Sequence, residues 1–212
     1  LKKDTKCSLS KYQPSIYQNI SIFPQSLIEL NLYLYDVESI FAGNFYLKSL
    51  EKIHIENCPK LLSFIDVTDE LNDSMKTLIP SKGLYVAIIN CCNLKNIDAL
   101  KRLNISHLEI KGVKPEYFKN ILNSLSHFND IEEIIFTYSS FYKCNIPEEF
   151  VDFVRHQKFC RIIIEPDDEY GGTEKERINK ETAEKLQENI NKIKELVKLN
   201  NTEVKNKKYD YY

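Results

Sequence analysis

Six cysteines and four histidines are the residues of this 212-residue chain most able to do chemistry as nucleophiles, redox pairs or soft metal ligands. Cys7, Cys58, Cys91, Cys92, Cys144 and Cys160 match neither paired C-x-x-C knuckles nor a compact disulfide framework. His54, His107, His127 and His156 are scattered, whereas zinc needs three or four converging ligands. Gly171-Gly172 is the only glycine pair, and no phosphate-loop spacing surrounds it. No serine-nucleophile elbow, H-E-x-x-H or deaminase signature appears. Adjacent carboxylates at Glu132-Glu133, Glu148-Glu149 and Asp167-Asp168 read as solvated charge, because sequence neighbours on a strand point to opposite faces. The residues therefore predict no catalytic set, no metal and no cofactor.

The elements behind these residues repeat. Leu50-x-x-Ile53-x-Ile55-x-x-Cys58 and Leu84-x-x-Ala87-x-Ile89-x-x-Cys92-x-Leu94 are the clearest copies of one unit. Leu27-x-x-Leu30-x-Leu32, Ile105-x-x-Leu108-x-Ile110, Ile131-x-x-Ile134-x-Phe136 and Phe159-x-x-Ile162-x-Ile164 extend it. Starts at 27, 50, 84, 105, 131 and 159 stand 23, 34, 21, 26 and 28 residues apart. The long step implies an insertion within residues 66–82, where Asp, Asn, Ser and Pro collect. A single copy arises readily by chance at 42% hydrophobic content, but six in order do not. On this alignment Cys58 and Cys92 fill a small buried position after the strand, and Cys91 is a loop neighbour. Pro115 and Pro147 open two connectors with helical spacing, the first carrying Phe118, Ile121, Leu122 and Leu125, the second Phe150, Val151 and Val154.

Over residues 27–165 this pattern resembles the leucine-rich repeat superfamily, nearest its irregular, cysteine-containing members. The resemblance implies an α/β solenoid of about six repeats, a short horseshoe with a parallel sheet on its concave face and helices or turns on the convex one. Residues 1–26 are expected to cap the first repeat. Residues 166–172 read as an acidic linker, and residues 173–199 as a helix that opens on the Thr173-x-x-Glu176 capping box. Its stripe of Leu186, Ile190, Ile193 and Val197 either closes the end of the array or meets a partner. Residues 200–212 form a polar tail expected to be disordered.

In such a repeat the residues between the inward apolar positions face the concave surface. The expected middle column is Asn31, His54, Ile88, Glu109, Ile135 and Ile163. One flank is Glu29, Lys52, Val86, His107, Glu133 and Arg161; the other is Tyr33, Glu56, Asn90, Lys111, Thr137 and Glu165. Val86, Ile88, Ile135 and Ile163 then stand on the open face, either as strand formers covered by other parts of the chain or as an apolar patch that anchors a partner. The expected binding residues are Tyr33, Lys52, His54, Val86, Ile88, His107, Glu109, Lys111, Ile135 and Ile163.

A formal charge of −2, with the charges interspersed, gives no pull toward nucleic acid or an anionic membrane. No apolar run is long enough to span a bilayer. The expected function is a non-catalytic protein-interaction module, with an assembly subunit docking through the C-terminal helix as the alternative. Sequons start at Asn19, Asn72, Asn104 and Asn200, and a Cys144–Cys160 bridge would suit secretion, so compartment stays open between intracellular and secreted.

Overall fold

Each copy of the apolar alternation forms a strand, and every strand lies beside the copy before it. The computed structural model describes residues 6–10, 23–33, 37–65, 83–128, 131–137, 145–156 and 161–165, with isolated helical positions at 188, 189, 191, 192 and 195. The strands are β1 (Lys6–Ser10), β2 (Glu29–Tyr33), β3 (Ser39–Phe41), β4 (Lys52–Glu56), β5 (Ser63–Ile65), β6 (Leu84–Ile89), β7 (Ile105–Lys111), β8 (Glu133–Thr137) and β9 (Arg161–Glu165). Seven of them make one parallel sheet ordered β1-β2-β4-β6-β7-β8-β9. The remaining two, β3 and β5, form a small parallel sheet of their own in the return segments.

Parallel neighbours require a crossover on one side of the sheet, and the crossovers here supply its cover. They contain short 3-10 helices at Ala42–Phe45 and Asp98–Arg102, and two α-helices, α1 (Pro115–Leu125) and α2 (Glu148–His156). Pro115 occupies the first turn of α1, where its missing N–H costs no hydrogen bond. Phe118, Ile121, Leu122 and Leu125 of α1 and Phe150, Val151 and Val154 of α2 are all buried, at the spacing the sequence predicts, and Phe153 of α2 is buried with them. Phe136 of β8 joins the layers, its ring centroid 5.2 Å from Phe118 and 6.4 Å from Phe150. The inward sheet residues Leu30, Leu32, Ile53, Ile55, Leu108, Ile110, Ile134 and Ile162 are likewise buried.

The sixth strand departs from the expected alignment. Ile53 and Ile55 pair with Val86 and Ile88, not with Ala87 and Ile89. Leu84 pairs with Ile105 and Tyr85 with His107, so Ser106 has no opposite number and β6 reaches its inward positions one residue early. A one-residue slip exchanges the faces of everything after it. Val86 and Ile88 therefore lie in the core, 1% and 0% exposed, and the expectation that they stand on the open face is corrected. The observed register buries Val86 and Ile88 where the expected one would have buried Ala87 and Ile89, and so removes more apolar surface from water.

The same slip reassigns the cysteines. Asn57 and Asn90 leave their strands at φ 54° and 55°, the left-handed region that asparagine tolerates. Asn57 N–H donates to the Ile89 carbonyl at 3.0 Å and Asn90 N–H to that of Lys111 at 2.9 Å. The Asn90 side-chain amide donates to Asn57 Oδ1 at 3.2 Å. The buried thiols that follow are Cys58 and Cys91, whose Sγ atoms donate to the carbonyls of Glu56 and Ile89, each at 3.5 Å. Cys92 is half-buried, so Cys91 takes the buried position expected for Cys92. The third such exit uses Gly112 at φ 67°, where an added Cβ would meet Asn90 Oδ1 at 2.5 Å.

The expected insertion within residues 66–82, the linker, the tail, the Cys144–Cys160 pair and the stripe of Leu186, Ile190, Ile193 and Val197 lie outside the described residues; of the expected cap at residues 1–26, residues 6–10 form β1, a seventh strand of the main sheet. Within the C-terminal segment, Glu188, Asn189, Asn191, Lys192 and Glu195 are helical, and Asn189 is buried.

Candidate binding face

The side of the sheet away from the helices carries three rows of side chains running across the strands. The middle row is Asn31, His54, Ala87, Glu109, Ile135 and Ile163, in register from β2 to β9. One flank is Glu29, Lys52, Tyr85, His107, Glu133 and Arg161; the other begins Tyr33, Glu56, Ile89 and Lys111. Asn31, Ala87, Glu109 and Ile163 in the middle row are buried, and His54 and Ile135 are half-buried, while every one of these flanking residues is half-buried. The rows thus shape a shallow trough whose floor is polar at Asn31, His54 and Glu109, interrupted by Ala87, and apolar at Ile135 and Ile163.

Eight of the ten residues expected on this face are there: Tyr33, Lys52, His54, His107, Glu109, Lys111, Ile135 and Ile163. Val86 and Ile88 are not: their places belong to Tyr85 and Ala87, and the place expected for Asn90 belongs to Ile89. The missed residues had a readable signal in the Asn-Cys dipeptide, repeated at 57–58 and 90–91, which fixes the β6 register when aligned on asparagine.

Glu109 holds the two walls together. Its carboxylate accepts hydrogen bonds from the Tyr85 phenol on one flank and from Lys111 Nζ on the other, the latter at 2.6 Å. Burial alone raises the pKa of Glu109, but the hydrogen bonds from Lys111 and Tyr85 outweigh it and keep the carboxyl below its ordinary value. The bridge lies beside Ala87, which is only 1% exposed although it points to the open side.

Aromatic rings meet on the same face, Tyr33 with His54 diagonally and Tyr85 with His107 directly across neighbouring strands. Tyr33 and His54 have centroids 5.5 Å apart, and Tyr85 and His107 6.3 Å apart. Lys52 Nζ sits 5.4 Å from the Tyr85 ring centroid, within cation–π range. His107 Nδ1 lies 2.9 Å from Ser106 Oγ, the hydroxyl of the unpaired residue in β7. At the ends of the face, Lys6 pairs with Glu29 at 2.6 Å and Arg161 with Glu133 at 3.2 Å. The Lys6 hydrogen bond, then that of Asn31, lowers the Glu29 pKa.

This arrangement offers hydrogen-bonding groups, rings and a small apolar floor, and its ion pairs neutralise most of its own charge. Among the described residues, no three His, Cys, Asp or Glu side chains converge as metal ligands, and no helix is long and apolar enough to cross a membrane. No family model matches the chain, and no curated protein matches it.

Proposed function

We propose that the chain is a leucine-rich repeat solenoid that works without catalysis, holding an extended segment of a protein partner in the trough of its parallel sheet. The observation that carries this reading is the in-register trough itself, whose walls are half-buried side chains already fixed by their neighbours. Side chains ordered before binding lose less conformational freedom on binding, so preorganisation favours recognition. From β2 to β9 the trough crosses five strand spacings, about 24 Å, enough for roughly seven extended residues. Tyrosine, histidine and isoleucine on a self-neutralised surface suit a mixed polar and apolar peptide better than a polyanion.

Substitution within the trough tests the proposal. Tyr85→Ala and Ile135→Asp should each weaken partner binding by about 1–2 kcal/mol or more, measured well below the thermal midpoint, which Tyr85→Ala itself lowers by removing a hydrogen bond to buried Glu109. Lys119→Ala, on the exposed side of α1, should leave both unchanged. Loss of binding with Lys119→Ala but not with the trough variants would place the working surface elsewhere.

A further inference from the structure

We propose that Glu56, with the Tyr33 and His54 rings beside it, is the subsite of this face that receives a basic side chain, an arginine or lysine of the bound segment. The inference rests on the reading of the face as a protein-binding surface and adds the chemistry of one contact.

Four carboxylates stand among the described side chains of the face. Three have a lysine or arginine partner: Glu29 with Lys6, Glu109 with Lys111 and Glu133 with Arg161. Glu56 has none. Its Oε2 lies 3.0 Å from His54 Nε2, and its Oε1 accepts from the Asn57 amide at 3.4 Å. It is also the most open of the four, with 30% of its side chain exposed against 18%, 11% and 19% for Glu29, Glu109 and Glu133. An open carboxylate retains lone pairs for an incoming cation, whereas the paired ones would first have to give up their own.

The rings supply the second half of the site. A cation near an aromatic face gains from the ring quadrupole, and a guanidinium can stack on a ring while its edge bonds a carboxylate. The Tyr33 and His54 rings, 5.5 Å apart and tilted by 34°, flank this position. Across the trough on the same strand, Lys52 presents a positive charge over Tyr85. At β4 itself a basic group is therefore disfavoured on the Lys52 side and favoured on the Glu56 side.

The test uses the full chain, isotopically labelled, titrated with N-acetyl-arginine amide and with its uncharged analogue N-acetyl-citrulline amide. Saturable shifts at Tyr33 and His54 are expected with the arginine ligand, with citrulline roughly tenfold weaker, the size of one lost charge-assisted contact. Glu56→Gln should weaken the arginine response by a similar factor, and Glu116→Gln, exposed on α1, should leave it unchanged. An equal response to both ligands, a response that survives Glu56→Gln, or no saturable shift at Tyr33 and His54 overturns the subsite. The two ligands are compared on the parent chain, so the test stands even if a variant folds poorly. Failure here leaves partner loss in Tyr85→Ala and Ile135→Asp untouched, so this subsite and the wider reading of the face fail separately.

Discussion

At the scale of single residues, Glu109 joins the walls of the trough and also ties the face to pH. A carboxyl whose folded pKa lies below its unfolded value adds stability that is complete above the unfolded value, near 4.5, and is lost as pH falls through the folded one. Glu109→Gln should therefore cost roughly 1–3 kcal/mol near neutrality, where it removes a charged acceptor from Lys111 and Tyr85. That cost should shrink below about pH 4.5, because the parent chain loses the same interaction there. Urea titrations of both proteins from pH 7 to pH 3 would show it; a difference constant over that range would mean the carboxylate is not held ionised by the fold. Gly112 is constrained by geometry instead. Its φ of 67° and the Asn90 oxygen in the path of a Cβ predict that Gly112→Ala costs about 1–2 kcal/mol or more, read in the same titration.

At the scale of elements, β6 is where pattern and structure part. In β4, Lys52-Ile53-His54-Ile55-Glu56 alternates so cleanly that its faces are legible from the letters, and β2 and β7 read nearly as well. In Leu84-Tyr85-Val86-Ala87-Ile88-Ile89 both parities are apolar, so alternation does not choose between them. What decides is non-local: the irregular pairing at Leu84 and Tyr85, the larger volume buried by Val86 and Ile88, and the stacking of Asn90 on Asn57. The helices were legible because Pro115 and Pro147 mark their starts and the buried residues keep the helical period. The Glu109 bridge was not, since it needs Tyr85 on the open face. Two measurements separate the registers. Ile88→Ala should cost roughly 2–5 kcal/mol and Ile89→Ala about 1 kcal/mol or less, and a one-residue slip would reverse them. In the native protein, alkylation should reach Cys92 before Cys91. Cys91 is fully buried, and its hydrogen bond with Cys58 followed by burial pushes its thiol pKa up. Faster alkylation of Cys91 would contradict the observed register.

At the scale of the whole molecule, one crossover after another returns the chain to the same sheet, so a face too long for any single element is assembled from one strand per repeat. Its composition is as informative as its shape. With a formal charge of −2 and ion pairs closed along the sheet, the chain should pass unretained through immobilised heparin at about 0.15 M salt. Retention there would point to a basic surface that the face does not have. Site-specific photocrosslinking shows where on the sheet a partner touches. A photoreactive residue placed at Tyr85 or Ile135 should form a covalent adduct with the partner, while the same residue at Lys119 of α1 should not. Adducts from position 119, with none from 85 or 135, would put the partner on the helical side and not on the open face of the sheet.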